Sequence, residues 1–244
     1  MTPAIIWTEL KLLWREPLLL VISLLFPIML MALLLVSFGG DVDPVFQGIG
    51  GTEFYVTSYL AAAIAAMGFM GTPTHLAAYR QTGVLRRFQA AGVPGTSLLL
   101  AQVAVTTVLA VAGAAAMLAL AYTGFDLAAP ASPVAVVTGF AAGIAAFAAL
   151  GSLLGAVMPS PRAAQGLGLA LFFGTCFLGG GGPPPGVLPD ALNTAAGFTP
   201  TGLLVDAIRA PWNGQGADVV ALASLVGIAV AAGLVARWLL ARTR

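Results

Sequence analysis

Six long apolar stretches, almost free of charge, divide this chain: 18–39, 54–74, 96–123, 133–158, 163–180 and 219–240. Each is close to the roughly 20 residues that a helix needs to cross about 30 Å of hydrocarbon. Backbone groups in lipid must be satisfied within the segment, so these stretches are expected as helices. The expected fold class is therefore all-α, a polytopic membrane protein with six transmembrane helices. Composition supports this reading, since 8% of the 244 residues are charged and 59% are apolar. A soluble domain carries about a quarter charged residues, which this chain cannot supply to a water-facing surface. Its ten basic residues are dispersed, so it has no basic face for nucleic acid. The first stretch is expected to persist as a helix rather than be cleaved as a signal peptide. Its apolar core exceeds the usual 7–15 residues or so, and no A-x-A site follows it.

Charge then sets direction. Lys11, Arg15, Arg80, Arg86, Arg87, Arg162, Arg237, Arg242 and Arg244 all fall on one side of a six-span arrangement. Asp41, Asp43, Glu53, Asp126, Asp190, Asp206 and Asp218 fall on the other, with Arg209 as the only cation there. Basic residues mark the cytoplasmic side, so both termini are expected in the cytoplasm of a cell that carries the protein in its plasma (inner) membrane.

The chain reads as one transmembrane domain, 1–244, with three special segments. Residues 4–16 set Ile6, Leu10, Leu13 and Trp14 at helical spacing, with Trp7 alongside and Glu9, Lys11, Arg15 and Glu16 on the remaining face. This pattern predicts an amphipathic helix lying in the interface, the alternative being a frayed lead-in to the first span. Residues 80–94 form a basic cytoplasmic segment. Residues 181–216 follow a Gly- and Pro-rich run that cannot continue a helix. They are too apolar for an exposed loop. Two short helices, 187–196 and 201–210, dipping into the outer leaflet, are the expected form, with Pro211 ending the second. Asp206 and Arg209, three apart on the second, can pair and lower the cost of charge at that depth.

The chemistry that is missing narrows function. Lys11 is the only lysine and follows Leu10, so the chain cannot build a Gly-x-x-x-x-Gly-Lys-Ser/Thr phosphate loop. No apolar stretch carries an Asp, Glu, Lys or Arg near its middle, unlike most ion-coupled carriers. One histidine, His75, and one cysteine, Cys176, exclude an intrachain disulfide and any site needing two imidazoles. No catalytic, metal or cofactor site is expected; the chain is expected to be no enzyme and to borrow its energy. Gly139, Gly143, Gly151 and Gly155 form a ridge on the fourth stretch that admits a close neighbour. Packing within the chain or a dimer seam would both use it. Aromatics gather in the second and fifth stretches.

The order of these elements carries a resemblance. An amphipathic ELKLLWREP leads into a span holding Phe26-Pro27, the cytoplasmic segment reads RQTGVLRRFQAAGVPGTSLLLAQ, and GVLPDALNTAAGFTPTGLLVDAIRA precedes the last span. Together they resemble the membrane subunit of ATP-binding-cassette type-2 exporters, the class of antibiotic, multidrug, lipid and polysaccharide exporters. Gln81 stands where the family's loop motif is usually acidic, and Gly202 departs from its P-L-T-x-L-x-D-A-L-R motif. The resemblance implies a pair of such subunits, a homodimer or two related chains, bound to two copies of a separate ATPase subunit that holds ATP and Mg. It implies that Thr82, Gly83, Leu85, Arg86, Arg87 and Phe88 dock that ATPase. It also implies a path at the dimer axis lined by the second and fifth spans, with Tyr59, Met67, Phe69, Phe173 and Phe177 as candidates. The apolar interior fits a lipophilic or amphipathic substrate, drug or lipid-like. A polysaccharide, or a gradient-driven carrier of another class, are the alternatives.

Overall fold

A computed structural model describes residues 7–8, 11, 25–40, 42–46, 48–92, 95–184 and 187–242. The expected interfacial helix at 4–16 lies outside the described residues except for Trp7, Thr8 and Lys11, and the first span is described only from Leu25. The helices are α1 (Phe26–Phe38), α2 (Gly51–Gln81), α3 (Val84–Ala90), α4 (Gly95–Gly124), α5 (Pro133–Val157), α6 (Pro161–Gly181), α7 (Asp190–Gly197), α8 (Pro200–Trp212) and α9 (Val219–Arg242). Among the described residues, five helices are long and apolar enough to cross a bilayer: α2, α4, α5, α6 and α9. The protein is an all-α polytopic membrane protein. Among the described residues the one strand pair, β1 (Val42–Asp43) with β2 (Ile49–Gly50), is a two-residue antiparallel ribbon that folds the α1–α2 loop back on itself.

Helix α2 is the central pillar. Ala61, Ala62, Ala63, Ala65 and Ala66 give it small flanks on every side, and all five are buried. An apolar helix without a polar stripe belongs inside a bundle, and α2 packs against α1, α4, α5, α6 and α8. Helix α9 closes the bundle along α5. Its Val226, Val230 and Leu234 stay exposed, as do Val134 and Val137 of α5, which gives the single chain apolar outer faces suited to lipid. Such apolar exposure is stable only with acyl chains as solvent.

Two prolines shape the interior in the same way. Pro73 has no N–H for the carbonyl four residues back, Phe69, and α2 widens into a π turn over Met67–Gly71 just before it. Pro211 likewise returns no N–H to the Ala207 carbonyl, yet α8 continues to Trp212, since Asn213 N–H donates to Arg209 O at 3.1 Å. The expectation that Pro211 ends the helix is therefore corrected by one residue. Lost pairing matters least in a final turn. In both cases a glycine from a neighbouring helix lies against the freed carbonyl: Gly168 of α6 on Phe69 O and Gly139 of α5 on Ala207 O. A Cβ at either glycine would collide with that oxygen. The α5 ridge continues with Gly143 on Leu204, Gly151 on Gly68 and Gly155 on Leu76, while Phe147, between them, fills the space over Gly68. The ridge thus packs within the chain.

These contacts predict a sharp contrast between glycines. Gly168→Val forces α6 away from α2 and should cost about 1–3 kcal/mol, as overpacking does. Gly166 is exposed with open space where a Cβ would stand. Gly166→Ala should be neutral or stabilising by up to about 1 kcal/mol. Thermal unfolding of the two variants in detergent measures both.

The segment before α9 differs in extent from the expectation. Its first helix begins at Asp190, not at 187, because Pro189 serves as the N-cap residue and Asp190 places a carboxylate in the first turn. Its second begins at Pro200, with Thr199 Oγ1 accepting from Gly202 N–H at 3.0 Å. Gly202 lies against the Ala196 carbonyl, so the α7–α8 turn is too tight for a side chain there. Helix α8 is packed into the bundle through Leu204, Val205, Ala207, Ile208 and Trp212, whereas α7 buries no residue.

Candidate functional site

Short loops alternate the helix ends, so the bundle has a basic end and an acidic end. At the basic end, α3 bridges α2 and α4. Gly83 and Gly92 bracket it with φ of +73° and +74°, a region that costs other residues dearly. Leu85 is 5% exposed and joins Leu76, Ala156 and Leu240 in a small core beneath it. Phe88, one turn on, meets Tyr79 of α2 edge to face at 6.4 Å. Leu85 and Phe88 therefore seat the helix, while Thr82, Arg86 and Arg87 stay exposed on its outer side and Gly83 forms the turn. The six residues singled out in the sequence meet in one hairpin with divided roles. Arg80 adds a link that sequence reasoning missed: Nη1 donates to Gly155 O at 3.2 Å and Met158 O at 3.0 Å. A cation on the last carbonyls of α5 is favoured by the helix dipole, and it ties the base of α3 to a second helix.

At the acidic end, Arg209 of α8 holds the bundle together. Its Nε donates to Thr57 Oγ1 at 3.2 Å, and Nη2 donates to Phe54 O at 3.3 Å and to Ser58 Oγ. The guanidinium also lies 4.0 Å over the Phe54 ring. The donors expected to meet Asp206 are thus given to α2, and among the described residues Asp206 makes no ion pair within bonding distance. It remains beside Arg209 in a small cavity of about 130 Å³. Around this point Tyr59 Oη donates to Gly181 O at 2.7 Å, and Thr201 Oγ1 donates to Thr175 Oγ1 at 2.8 Å. Helices α2, α6 and α8 are locked here by polar bonds in an apolar setting. The sole cation among seven acidic residues was the available signal; its partners, some 150 positions away, carried none.

The five path candidates separate. Tyr59, Met67 and Phe69 are 1%, 3% and 4% exposed, and all three sit inside the single chain. Tyr59 is committed to Gly181, and Phe69 packs edge to face on Phe147 at 5.1 Å. Phe177 is exposed and Phe173 half-buried at the bundle's edge, the two rings stacked at 6.2 Å. Phe26 of α1 meets Phe173 edge to face at 6.0 Å. Phe26, Pro27, Ala66, Met70, Phe172 and Phe173 line an apolar cleft of about 130 Å³. The surface aromatic group is therefore built by α1 and α6, with α2 behind it.

No group of three or more metal-ligating side chains occurs among the described residues. No curated protein matches the chain. The family model described as ABC-2 type transporter matches residues 2–211. A match over most of the chain, on an all-α membrane bundle, shows that the protein belongs to the ABC-2 type transporter family, as a permease subunit of an ABC transporter.

Proposed function

We propose that this chain is the membrane half of an ATP-driven exporter, working as a pair of permease subunits on two ATPase subunits, with the basic end in the cytoplasm. The observation that carries the reading is helix α3. It is fixed beneath by Leu85 and Phe88, turns Arg86 and Arg87 outward, and lies in the chain between two bundle helices, α2 and α4. ATP binding elsewhere acts on this chain only through contacts that differ between states. Such a seated helix moves α2 and α4 together, and Arg80 carries the same displacement to α5. Positive-inside anchoring accounts for the charge of Arg86 and Arg87, but not for the buried seat beneath them.

The aromatic group of Phe26, Phe173 and Phe177 is the proposed lining of the path for a lipophilic or amphipathic substrate. Two short helices before α9 are proposed to dip into the outer leaflet. Phe173→Ala removes contacts with Phe26 and Phe177 worth about 0.5–1.5 kcal/mol each. It should shift substrate preference while ATPase assembly is unchanged. Competition between two exported dyes measures this; identical preference would remove Phe173 from the path. Orientation is tested by labelling single cysteines with a membrane-impermeant maleimide. Position 90 should be protected in intact cells and position 129 labelled, and the reverse pattern would invert the scheme.

A further inference from the structure

The acidic end holds a second cavity that neither the α3 hairpin nor the aromatic group uses. It has a volume of about 730 Å³ and lies between the α1–α2 loop, the α4–α5 loop and the end of α8. That size falls within the roughly 300–1,000 Å³ of small-molecule sites. Glu53 and Asp126 both line it, and no Lys, Arg or His is among its described lining residues. Arg209, the cation nearest in sequence to this wall, is spent on Thr57, Ser58 and Phe54. Glu53 accepts from Ala128 N–H at 3.3 Å through one oxygen, which sets the carboxylate in the wall. Asp126 adopts φ +47° and has no hydrogen-bond partner among the described residues.

Three neutral features complete the lining. Thr52 is 6% exposed, lines the cavity, and its hydroxyl has no partner among the described residues. Phe125 and Trp212 supply aromatic walls, the indole being held by Nε1 donating to Ala128 O at 3.2 Å. Asn213 donates through Nδ2 to Arg209 O at 2.9 Å, and its amide oxygen remains as an acceptor. Carboxylates, acceptor oxygens and aromatic rings without an opposing cation are the chemistry that recognises an organic cation. A bare metal ion fits poorly, because no three ligating side chains come together among the described residues.

We propose that this cavity is a binding site for organic cations. The proposal deepens the exporter reading, on which its placement on the outer face rests, by naming a substrate class. Tetraphenylphosphonium and tetraphenylborate have nearly the same shape and opposite charge, so together they separate charge recognition from apolar partition. The full chain in lipid nanodiscs, with empty nanodiscs subtracted, should bind tetraphenylphosphonium saturably and tetraphenylborate not. The double variant Glu53→Gln and Asp126→Asn keeps an acceptor for Ala128 N–H and should weaken the cation about tenfold. Its elution profile and thermal midpoint should be those of the parent. Unchanged affinity in that variant, or equal binding of the anion, would overturn the site. Should the double variant fold poorly, Asp126→Asn alone, which suits the positive φ, should weaken binding about threefold, and no change would again overturn it. Export is read separately with the ATPase present. Carboxylate-dependent binding without ATP-driven transport would reject the exporter reading and leave the site; transport with binding indifferent to both carboxylates would do the reverse.

Discussion

Arg209→Ala should destabilise the bundle by at least about 3 kcal/mol, the cost expected when a buried, hydrogen-bonded charge is removed. The side chain gives bonds to Thr57, Ser58 and the Phe54 carbonyl and covers the Phe54 ring. All of these are on α2, so the variant frees α8 from the central pillar. It also leaves Asp206 beside an emptied space, without the cation that shares its cavity. A fall in the thermal midpoint of more than about 6 °C follows for a chain of this size. Arg209→Lys keeps the charge, but a single ammonium cannot reach three acceptors in a fork while lying flat on a ring. It should recover roughly half the loss. Equal stability of Arg209→Ala and the parent would mean that the node contributes nothing to holding α8.

The second large effect concerns the other end. Reversing both Arg86 and Arg87 to glutamate should lower affinity for the ATPase subunit about a hundredfold, as like-charge contact does at an interface. The fold should be untouched, since both side chains are exposed and the seat is made by Leu85 and Phe88. Leu85→Asp should do the opposite in kind: a charge placed in the Leu76, Ala156 and Leu240 core unseats α3 and destabilises the basic end itself. Co-purification with the ATPase, read beside the thermal midpoint, separates the two. Retained association of the double-glutamate variant would remove Arg86 and Arg87 from the docking surface.

The spans were legible because a 20-residue apolar run has few other fates: five of the six stretches are described as helices long enough to cross, with α2 running on to Gln81, seven residues past its expected end. The glycine ridge of α5 was legible as a close contact, though only the structure says that its partners are α2 and α8. Pro211 was misread because its cost depends on what meets the carbonyl it frees, and Gly139 comes from another helix. Tyr59, Met67 and Phe69 were grouped with Phe173 and Phe177 because the family resemblance implies a path lined by the second and fifth spans. The alanines at 61–63 and 65–66 already implied neighbours on all sides of α2, and so an interior position for those three. Arg209 was visible as a lone cation among acids, but no local pattern connects it to Thr57 and Ser58. The cavity walled by Glu53 and Asp126 joins segments more than 70 residues apart, beyond the reach of any sequence window.

The exporter reading rests on ATP hydrolysis in a partner driving movement through this chain. Reconstitution of the chain with its ATPase into proteoliposomes, followed by release of an amphipathic fluorescent cation on addition of ATP and Mg, tests it most directly. Transport should require ATP and the ATPase and should be lost when Arg86 and Arg87 are both reversed. Transport of the same size without ATP, or without the ATPase subunit, would contradict it.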